Sequence, residues 1–333
     1  MSALQLIVTA LKDETESIRR IGLARADGAA LPGFAAGAHL TLDVPGVGQR
    51  KYSLVNAALE PSATAAPQVY ALGIRLERDG GGGSRYMHGL KVGDHVSAEP
   101  PQNNFPLKDG AEPVALVGGG IGITPLISMA AALKSAGRPF RIVYAGRAKS
   151  ELAFMPELTA LAGAAMQIHT DNTAGRVFNM GAYLAGLAAG TKVYMCGPKP
   201  MLKSGIDAAK ALKWPRDRLA FELFYSVAPS GAAISPPVPR PPPSDGSFEV
   251  VLKSSGKSFR VPPDKSILDV LIEAGEDPIH DCKRGECGVC NVGVLEGVPD
   301  HKDHILSDSE RAANKSMQVC ISRSRTPRLV LDL

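Results

Sequence analysis

Four cysteines stand near the C-terminus in one arrangement: Cys282, Cys287, Cys290 and Cys320. The spacing is C-x4-C-x2-C, then 29 residues, then the fourth cysteine. It matches the ligand set of a plant-type 2Fe–2S cluster. Such a cluster needs four thiolates converging on a small inorganic core, three from a tight loop and one from a distant segment. Gly285 and Gly288 lie between the first three, where bare backbone can approach sulfur and donate N–H groups. Structural zinc more often uses two C-x2-C pairs, and a disulfide framework requires an oxidising compartment. Chance does not place four of only five cysteines in this order. A Rieske centre needs two histidine ligands; His301 and His304 lack a cysteine partner at that spacing and are expected on the surface of a polar loop. A 2Fe–2S cluster takes and gives single electrons, so the rest of the chain must say where they come from.

A chain of 333 residues exceeds one ordinary core; at roughly 100–200 residues per domain, two or three are expected. The hydrophobic fraction of 44% is that of a folded globular protein. From Phe248 onward there are 12 Lys and Arg against 14 Asp and Glu, net −2, which leaves +6 for the remainder of a chain whose total is +4. That asymmetry is too small for a nucleic-acid partner, though it can orient a protein. No apolar run reaches membrane-spanning length. The first twenty residues read as an alternating strand with early charges rather than a signal peptide. A cytoplasmic location is therefore expected, which suits reduced thiols.

The clearest boundary is 227–246, VAPSGAAISPPVPRPPPSDG, with seven prolines in twenty residues. Proline at that density excludes helix and central strand and makes a semi-rigid spacer. The expected domains are 1–106, 107–226 and 247–333. Residues 1–106 contain LQLIVTAL, HLTLDV, RKYSLVN and VYALGIRLE, short strands punctuated by Gly and Pro; an antiparallel barrel is their natural closure. Residues 107–226 alternate apolar strands with helical segments, as in a doubly wound parallel sheet.

In that second region a buried strand runs into Gly118, Gly119, Gly120, Ile121, Gly122, Ile123, Thr124 and Pro125. Glycines there let backbone approach a pyrophosphate, and the helix start that follows favours its charge. Alone, such a turn is often only a tight turn. A later strand ends in Tyr194, Met195, Cys196, Gly197, Pro198, at the edge where such sheets bind ligands. Cys196 reads equally as a small buried hydrophobe. In the first region Arg50, Lys51, Tyr52 and Ser53 share a strand, followed by the loop Gly80 to Ser84. A fixed cation with a hydroxyl-bearing glycine loop suits a phosphate monoester, and a tyrosine can lie against a flat ring. On physics alone the same residues read as a strand-edge arginine and a flexible hairpin.

Together, R-x-Y-S at 50–53, G-G-G-I-G-I-T-P at 118–125, Y-x-C-G-P at 194–198 and the C-terminal cysteines resemble the phthalate dioxygenase reductase family. The resemblance spans nearly the whole chain in domain order. It implies an antiparallel β-barrel flavin domain, a parallel-sheet NAD domain and a C-terminal plant-type ferredoxin domain of β-grasp fold. It implies FMN held by Arg50, Tyr52, Ser53, Ile74, Arg75, Gly83, Ser84 and Phe221. NAD would lie on Gly119, Gly120, Gly122 and Thr124, with Cys196, Gly197 and Pro198 by the nicotinamide and Glu222 near the flavin. Related reductases with the ferredoxin domain first carry FAD, so the domain order here favours FMN; Arg85, Tyr86 and Met87 after the phosphate loop depart from the pattern. NADH is implied by family, while Arg147 can also meet a 2′-phosphate.

The implied activity is that of a monomeric reductase component, passing electrons from NADH through FMN and the 2Fe–2S cluster to a Rieske-type aromatic-ring dioxygenase or O-demethylase. A cytochrome P450 or diiron monooxygenase is an alternative acceptor. A non-catalytic redox sensor would show a degenerate flavin or nucleotide motif, and both are intact. If 227–246 is a spacer, a chain ending at Ser226 is expected to keep flavin and reduce ferricyanide with NADH, yet fail to reduce cytochrome c efficiently. Full cytochrome c reduction by that chain, measured beside the intact protein, would show that the four cysteines are not the electron exit.

Overall fold

The computed structural model describes residues 3–59, 62–78, 80–224, 245–276, 278–280, 283–285, 288–303, 306 and 308–333. Most of the Pro-rich stretch, Cys282, Cys287 and His304 lie outside them. Two compact units are present, one within 1–226 and one within 227–333.

The first unit opens with β1 (Leu4–Asp13), β2 (Ile18–Arg25), β3 (His39–Val44), β4 (Gly48–Ser53), α1 (Ser62–Ala65), β5 (Tyr70–Arg75), α2 (Gly83–Gly89) and β6 (His95–Ala98). The strands pair antiparallel in the order β4-β3-β6-β1-β2-β5. The ends of that row meet: Leu54 bridges Leu72, and the Val55 N–H donates to the Ala71 carbonyl at 2.8 Å. The sheet therefore closes as a barrel. Period-two alternation explains the filling. Leu6 and Val8 of β1, Ile21 and Leu23 of β2, and Leu72 and Ile74 of β5 all turn into one core.

The same unit continues with β7 (Val114–Gly119), α3 (Thr124–Ser135), β8 (Phe140–Gly146), α4 (Met155–Ala162), β9 (Met166–Thr170), α5 (Asp171–Ala174), α6 (Met180–Ala185), β10 (Lys192–Cys196), α7 (Lys199–Ala211) and β11 (Leu219–Glu222). Five parallel strands run in the order β11-β10-β7-β8-β9. Central strand β7 is buried on both faces, as strands of such sheets are. Val114 and Leu116 pack with α3 and α4, while Ala115 and Val117 pack with α6 and α7. Strand order reverses between β7 and β10, which opens a crevice at their carboxyl ends.

Barrel and sheet share a core, because Ile18, Val55 and Phe105 join the α3 cluster. The Gly37 N–H donates to Ser128 Oγ at 3.1 Å, and the Lys108 N–H donates to the Tyr194 hydroxyl at 2.9 Å.

In the second unit are β12 (Phe248–Leu252), β13 (Ser258–Val261), α8 (Ile267–Glu273), β14 (Asn291–Glu296), β15 (Pro299–Asp300), α9 (Asp308–Ala313), β16 (Ser316–Gln318), β17 (Arg323–Ser324) and β18 (Arg328–Asp332). A five-stranded mixed sheet runs β13-β12-β18-β14-β16, with β12 and β18 parallel. Ser266 caps α8 by accepting from the Asp269 N–H at 3.1 Å, and Ile267, Leu268 and Leu271 press onto the sheet. This is the β-grasp arrangement expected for the C-terminal domain.

Two glycines test how firmly barrel and sheet are locked. Gly37 (φ +89°) and Gly46 (φ +71°) both occupy left-handed backbone. A Cβ at 37 would lie 2.0 Å from the Phe105 carbonyl oxygen, whereas one at 46 meets nothing within 4 Å. Gly46→Ala is expected to cost about 1 kcal/mol from backbone strain alone, and Gly37→Ala clearly more. Thermal melts followed by flavin fluorescence order the variants; equal melting temperatures would show that the Gly37–Phe105 contact yields freely.

Candidate functional site

Strand β4 brings Arg50 and Tyr52 to the same face, and both reach the start of α2. A Cβ at Gly83 would lie 2.8 Å from Arg50 Cγ and 3.2 Å from the Tyr52 hydroxyl. Only glycine leaves that cradle open. Residue Gly82 enters α2 in left-handed backbone (φ +93°), and no side chain among the described residues caps the helix. Burial pushes the Tyr52 phenol up to about 12 despite the opposing Arg50 charge. The Arg50 guanidinium donates to the Gln49 carbonyl at 2.7 Å. A cation and a flat ring around one bare backbone position fit the phosphate end of a flavin nucleotide.

Other residues implied at that site stand differently. Ser84 Oγ accepts from the Glu77 N–H at 2.9 Å, so its hydroxyl closes the loop on itself. Arg75 pairs at the surface with Glu77, Nε to Oε1 at 2.7 Å. Ile74 is 1% exposed and belongs to the barrel core, so it can line a flavin only with its backbone. Its carbonyl lies 2.9 Å from His88 Nε2. Ser53 is buried opposite His39 in the β3 ladder.

At the crevice, backbone touches backbone. A Cβ on Gly122 would lie 2.3 Å from the Cys196 carbonyl oxygen. One on Gly119 would meet Met201 Sδ at 2.5 Å and Pro198 Cδ at 2.8 Å. Gly120 takes φ +53° with open space around its Cβ position. Thr124 is buried, and its hydroxyl donates to the Ile121 carbonyl at 2.9 Å; it fixes the turn rather than facing out. Arg147 follows β8 on the surface, its carbonyl accepting from the Asn172 N–H at 3.0 Å.

Cys196 and Glu222 sit opposite each other in the β10–β11 ladder. Burial pushes the Glu222 carboxyl up to about 8, with Lys51 pulling weakly the other way. Its Oε2 is enclosed without a hydrogen-bond partner. Burial first, then Glu222, raises the Cys196 thiol well above its ordinary value, so it is a neutral packing thiol and not a nucleophile. Phe221 packs into the α6–α7 layer with Leu219 and Leu223, whereas Ala220 faces the α3–α4 layer. Phe224, two residues past the end of β11, is 38% exposed. Sequence reasoning named Lys51 only as a neighbour of Arg50 and passed over Met201; tertiary structure brings the first near Glu222 and the second onto the glycine turn.

In the second unit Cys290 and Cys320 converge at the ends of β14 and β16. The Val319 N–H donates to the Cys290 carbonyl at 3.2 Å, and the Cys290 thiol donates to Gln318 Oε1 at 3.4 Å. The Cys290 thiol above all, helped by the Gly285 backbone, pulls the Cys320 thiol down, which favours the thiolate a metal needs. Two converging thiols with backbone aimed at sulfur fit an iron–sulfur cluster. His301, expected at the surface, has a side chain only 6% exposed and lies 3.8 Å from Asp303. The His301 and Asp303 side chains turn inward instead, while the Lys302 N–H donates to Ser322 and Arg311 donates to the Asp303 carbonyl.

Comparison with known proteins bears on both units. Residues 94–219 match the family of the dimethylamine monooxygenase subunit DmmA-like N-terminal domain, and residues 250–325 match the 2Fe-2S iron-sulfur cluster binding domain. Tetrachlorobenzoquinone reductase of Sphingobium chlorophenolicum is 38% identical over 100% of this chain and 99% of its own. Vanillate O-demethylase oxidoreductase of a Pseudomonas species is 36% identical over 99% of this chain and 100% of its own. The solved phthalate dioxygenase reductase is similar in fold with a TM-score of 0.64, at 32% identity, over 100% of this chain and 98% of that one. No helix among the described residues is long and apolar enough to cross a membrane. Barrel, parallel sheet and cluster module recur in that order over the full length, and the chain belongs to the phthalate dioxygenase reductase family, the NADH-dependent FMN and 2Fe–2S reductases of multicomponent oxygenase systems.

Proposed function

We propose that this chain, a cytoplasmic monomer, serves a Rieske-type aromatic-ring dioxygenase or O-demethylase, with FMN bound in 1–106, NADH in 107–226, a spacer at 227–246 and the cluster in 247–333. The observation that carries this reading is the crevice where Gly122 lies against the Cys196 carbonyl, within the unit that also holds the Arg50–Tyr52–Gly83 cradle. When bound, FMN exchanges a two-electron hydride for single electrons and the cluster provides the one-electron exit.

The chain's own residues position, enclose and neutralise. Arg50 and the start of α2 at Gly83 hold the flavin phosphate; Tyr52, Ser53 and the backbone of Ile74 border its ring. Ser84 and Arg75 brace the loop around it through Glu77. Gly119, Gly120 and Gly122 admit the pyrophosphate, Thr124 fixes their turn, and Arg147 marks the ribose end. Cys196, Gly197 and Pro198 wall the nicotinamide side, with Phe221 backing β11. Glu222, a carboxylic acid below pH 8, holds a proton at the crevice without adding charge. Cys282, Cys287, Cys290 and Cys320 ligate the iron.

The relative named for tetrachlorobenzoquinone reduction favours a second reading, in which a quinone takes the electrons directly. Turnover decides between them. Full-length protein loaded with FMN and iron, mixed with NADH and a Rieske-type O-demethylase, is expected to couple NADH oxidation to demethylated product. Rapid quinone reduction with no oxygenase coupling, retained in Cys287→Ser, would replace the first reading with the second.

Two variants probe the site. Arg50→Ala removes a charge-assisted contact worth roughly 1.5–3 kcal/mol, so FMN affinity is expected to fall about tenfold or more while the cluster spectrum persists. Unchanged flavin occupancy on dilution would make Arg50 a strand-edge residue. For Glu222, the folded value lies above the ordinary carboxyl value. The group therefore lowers stability as pH rises from that ordinary value to about 8. Flavin reduction by NADH is expected to fall as pH passes 8, and Glu222→Gln to flatten both profiles. A Gln variant with the parent's pH dependence would clear Glu222 of the role.

A further inference from the structure

Phe154 stands just before α4 at φ 60°, ψ 24° and is 1% exposed. A residue with a Cβ holds left-handed backbone only where its surroundings over-determine it. The ring is gripped from three sides. A Cβ at Gly73 of β5 would lie 2.6 Å from Phe154 Cζ and 2.8 Å from Thr124 Cγ2, so the flavin-side strand, the ring and the first residue of α3 meet at one point. Directly across the ladder from Gly73 is Arg20, whose guanidinium carbon lies 4.9 Å from the ring centroid. Arg20 is held by Glu14 at 2.8 Å and by Glu157 of α4.

We propose that Phe154 is a positioning residue: its ring is the spacer between β5 and the nucleotide turn, and it sets how closely the nicotinamide approaches the flavin. This rests on the reductase reading. Hydride transfer needs reacting atoms about 3–3.5 Å apart, yet the two cofactors are bound by different layers. The gap is therefore fixed by whatever packs between the layers beside the site. There, Gly73 contributes no side chain, Thr124 a methyl, and Phe154 fills the remainder. The Gly37–Ser128 and Lys108–Tyr194 hydrogen bonds join the same layers through other residues and leave this gap to the ring. No electron or proton passes through Phe154. As mere core filler it would affect stability only.

The test uses full-length FMN-loaded protein in anaerobic stopped flow with NADH. Gly73→Ala inserts a methyl against the ring, Phe154→Leu makes room for it, and the double variant combines them. Gly73→Ala is expected to slow flavin bleaching on the order of tenfold and to weaken the long-wavelength charge-transfer absorbance of nicotinamide stacked on flavin, with a smaller change in NADH Kd. The double variant should recover both signals. Phe154→Leu alone should slow bleaching at full FMN occupancy, and it decides the matter if Gly73→Ala does not load flavin. Parent-like bleaching in either single variant, or a double variant no better than Gly73→Ala, overturns the spacer. A parent chain that NADH does not bleach overturns the reductase reading, and the spacer with it.

Discussion

Where β7 and β10 part, main chain lies on main chain with no room for a β-carbon. Gly122 faces the Cys196 carbonyl, and Gly119 faces Gly197, Pro198 and Met201. That approach is possible only if both strands are held rigidly from both sides, which is why β7 carries apolar residues at every position rather than at alternate ones. The turn cannot relax outward, because Thr124 ties it internally and α3 begins at once. The crevice is thus a product of packing, and its ligand-binding surface is backbone.

One carboxyl oxygen beside this crevice, Glu222 Oε2, is buried without a partner, and that decides its charge. An ionised carboxylate enclosed there without a partner would be costly. Glu222 responds by keeping its proton to about pH 8, and Lys51 offsets only part of the burial. Cys196 beside it is pushed the same way. Two groups that would ordinarily differ in charge state near pH 6 both stay neutral there. The barrel is arranged in the opposite manner, setting the Arg50 cation beside an open glycine. Fixed charge lines the barrel cradle, and neutral groups stand beside the crevice.

Much of this was legible in the sequence, for reasons that differ by region. The barrel and the parallel sheet followed from period-two alternation in LQLIVTAL and from unbroken apolar strands such as VALVG, and the structure has both. The glycine turn carried its meaning only in company with Cys196, Gly197 and Pro198, seventy residues away, and the structure puts them in contact. Ile74, Ser84 and Thr124 stand inside the motifs, yet their side chains serve the core or the local loop; a motif fixes position along the chain, not which way a side chain turns. His301 reads as exposed because a polar loop does, whereas its side chain turns in beside Asp303. Phe154 gave no signal at all, since a left-handed aromatic is set by tertiary contacts alone.

At the junction of barrel and sheet, ion pairs and an aromatic ring compete to explain the fit, and magnitudes separate them. Arg20 and Glu157 keep 26% and 23% of their side-chain surface exposed, so their pair is partly screened. A fully buried phenylalanine removed from a core costs about 3–5 kcal/mol. The Arg20 charge can choose the ring's orientation by lying over its face, but it cannot hold two layers at a fixed distance. The ring can, because packed cores resist small changes in volume. Beside Gly73 the separation of barrel and sheet is therefore set by a hydrophobic contact that carries no chemistry of its own.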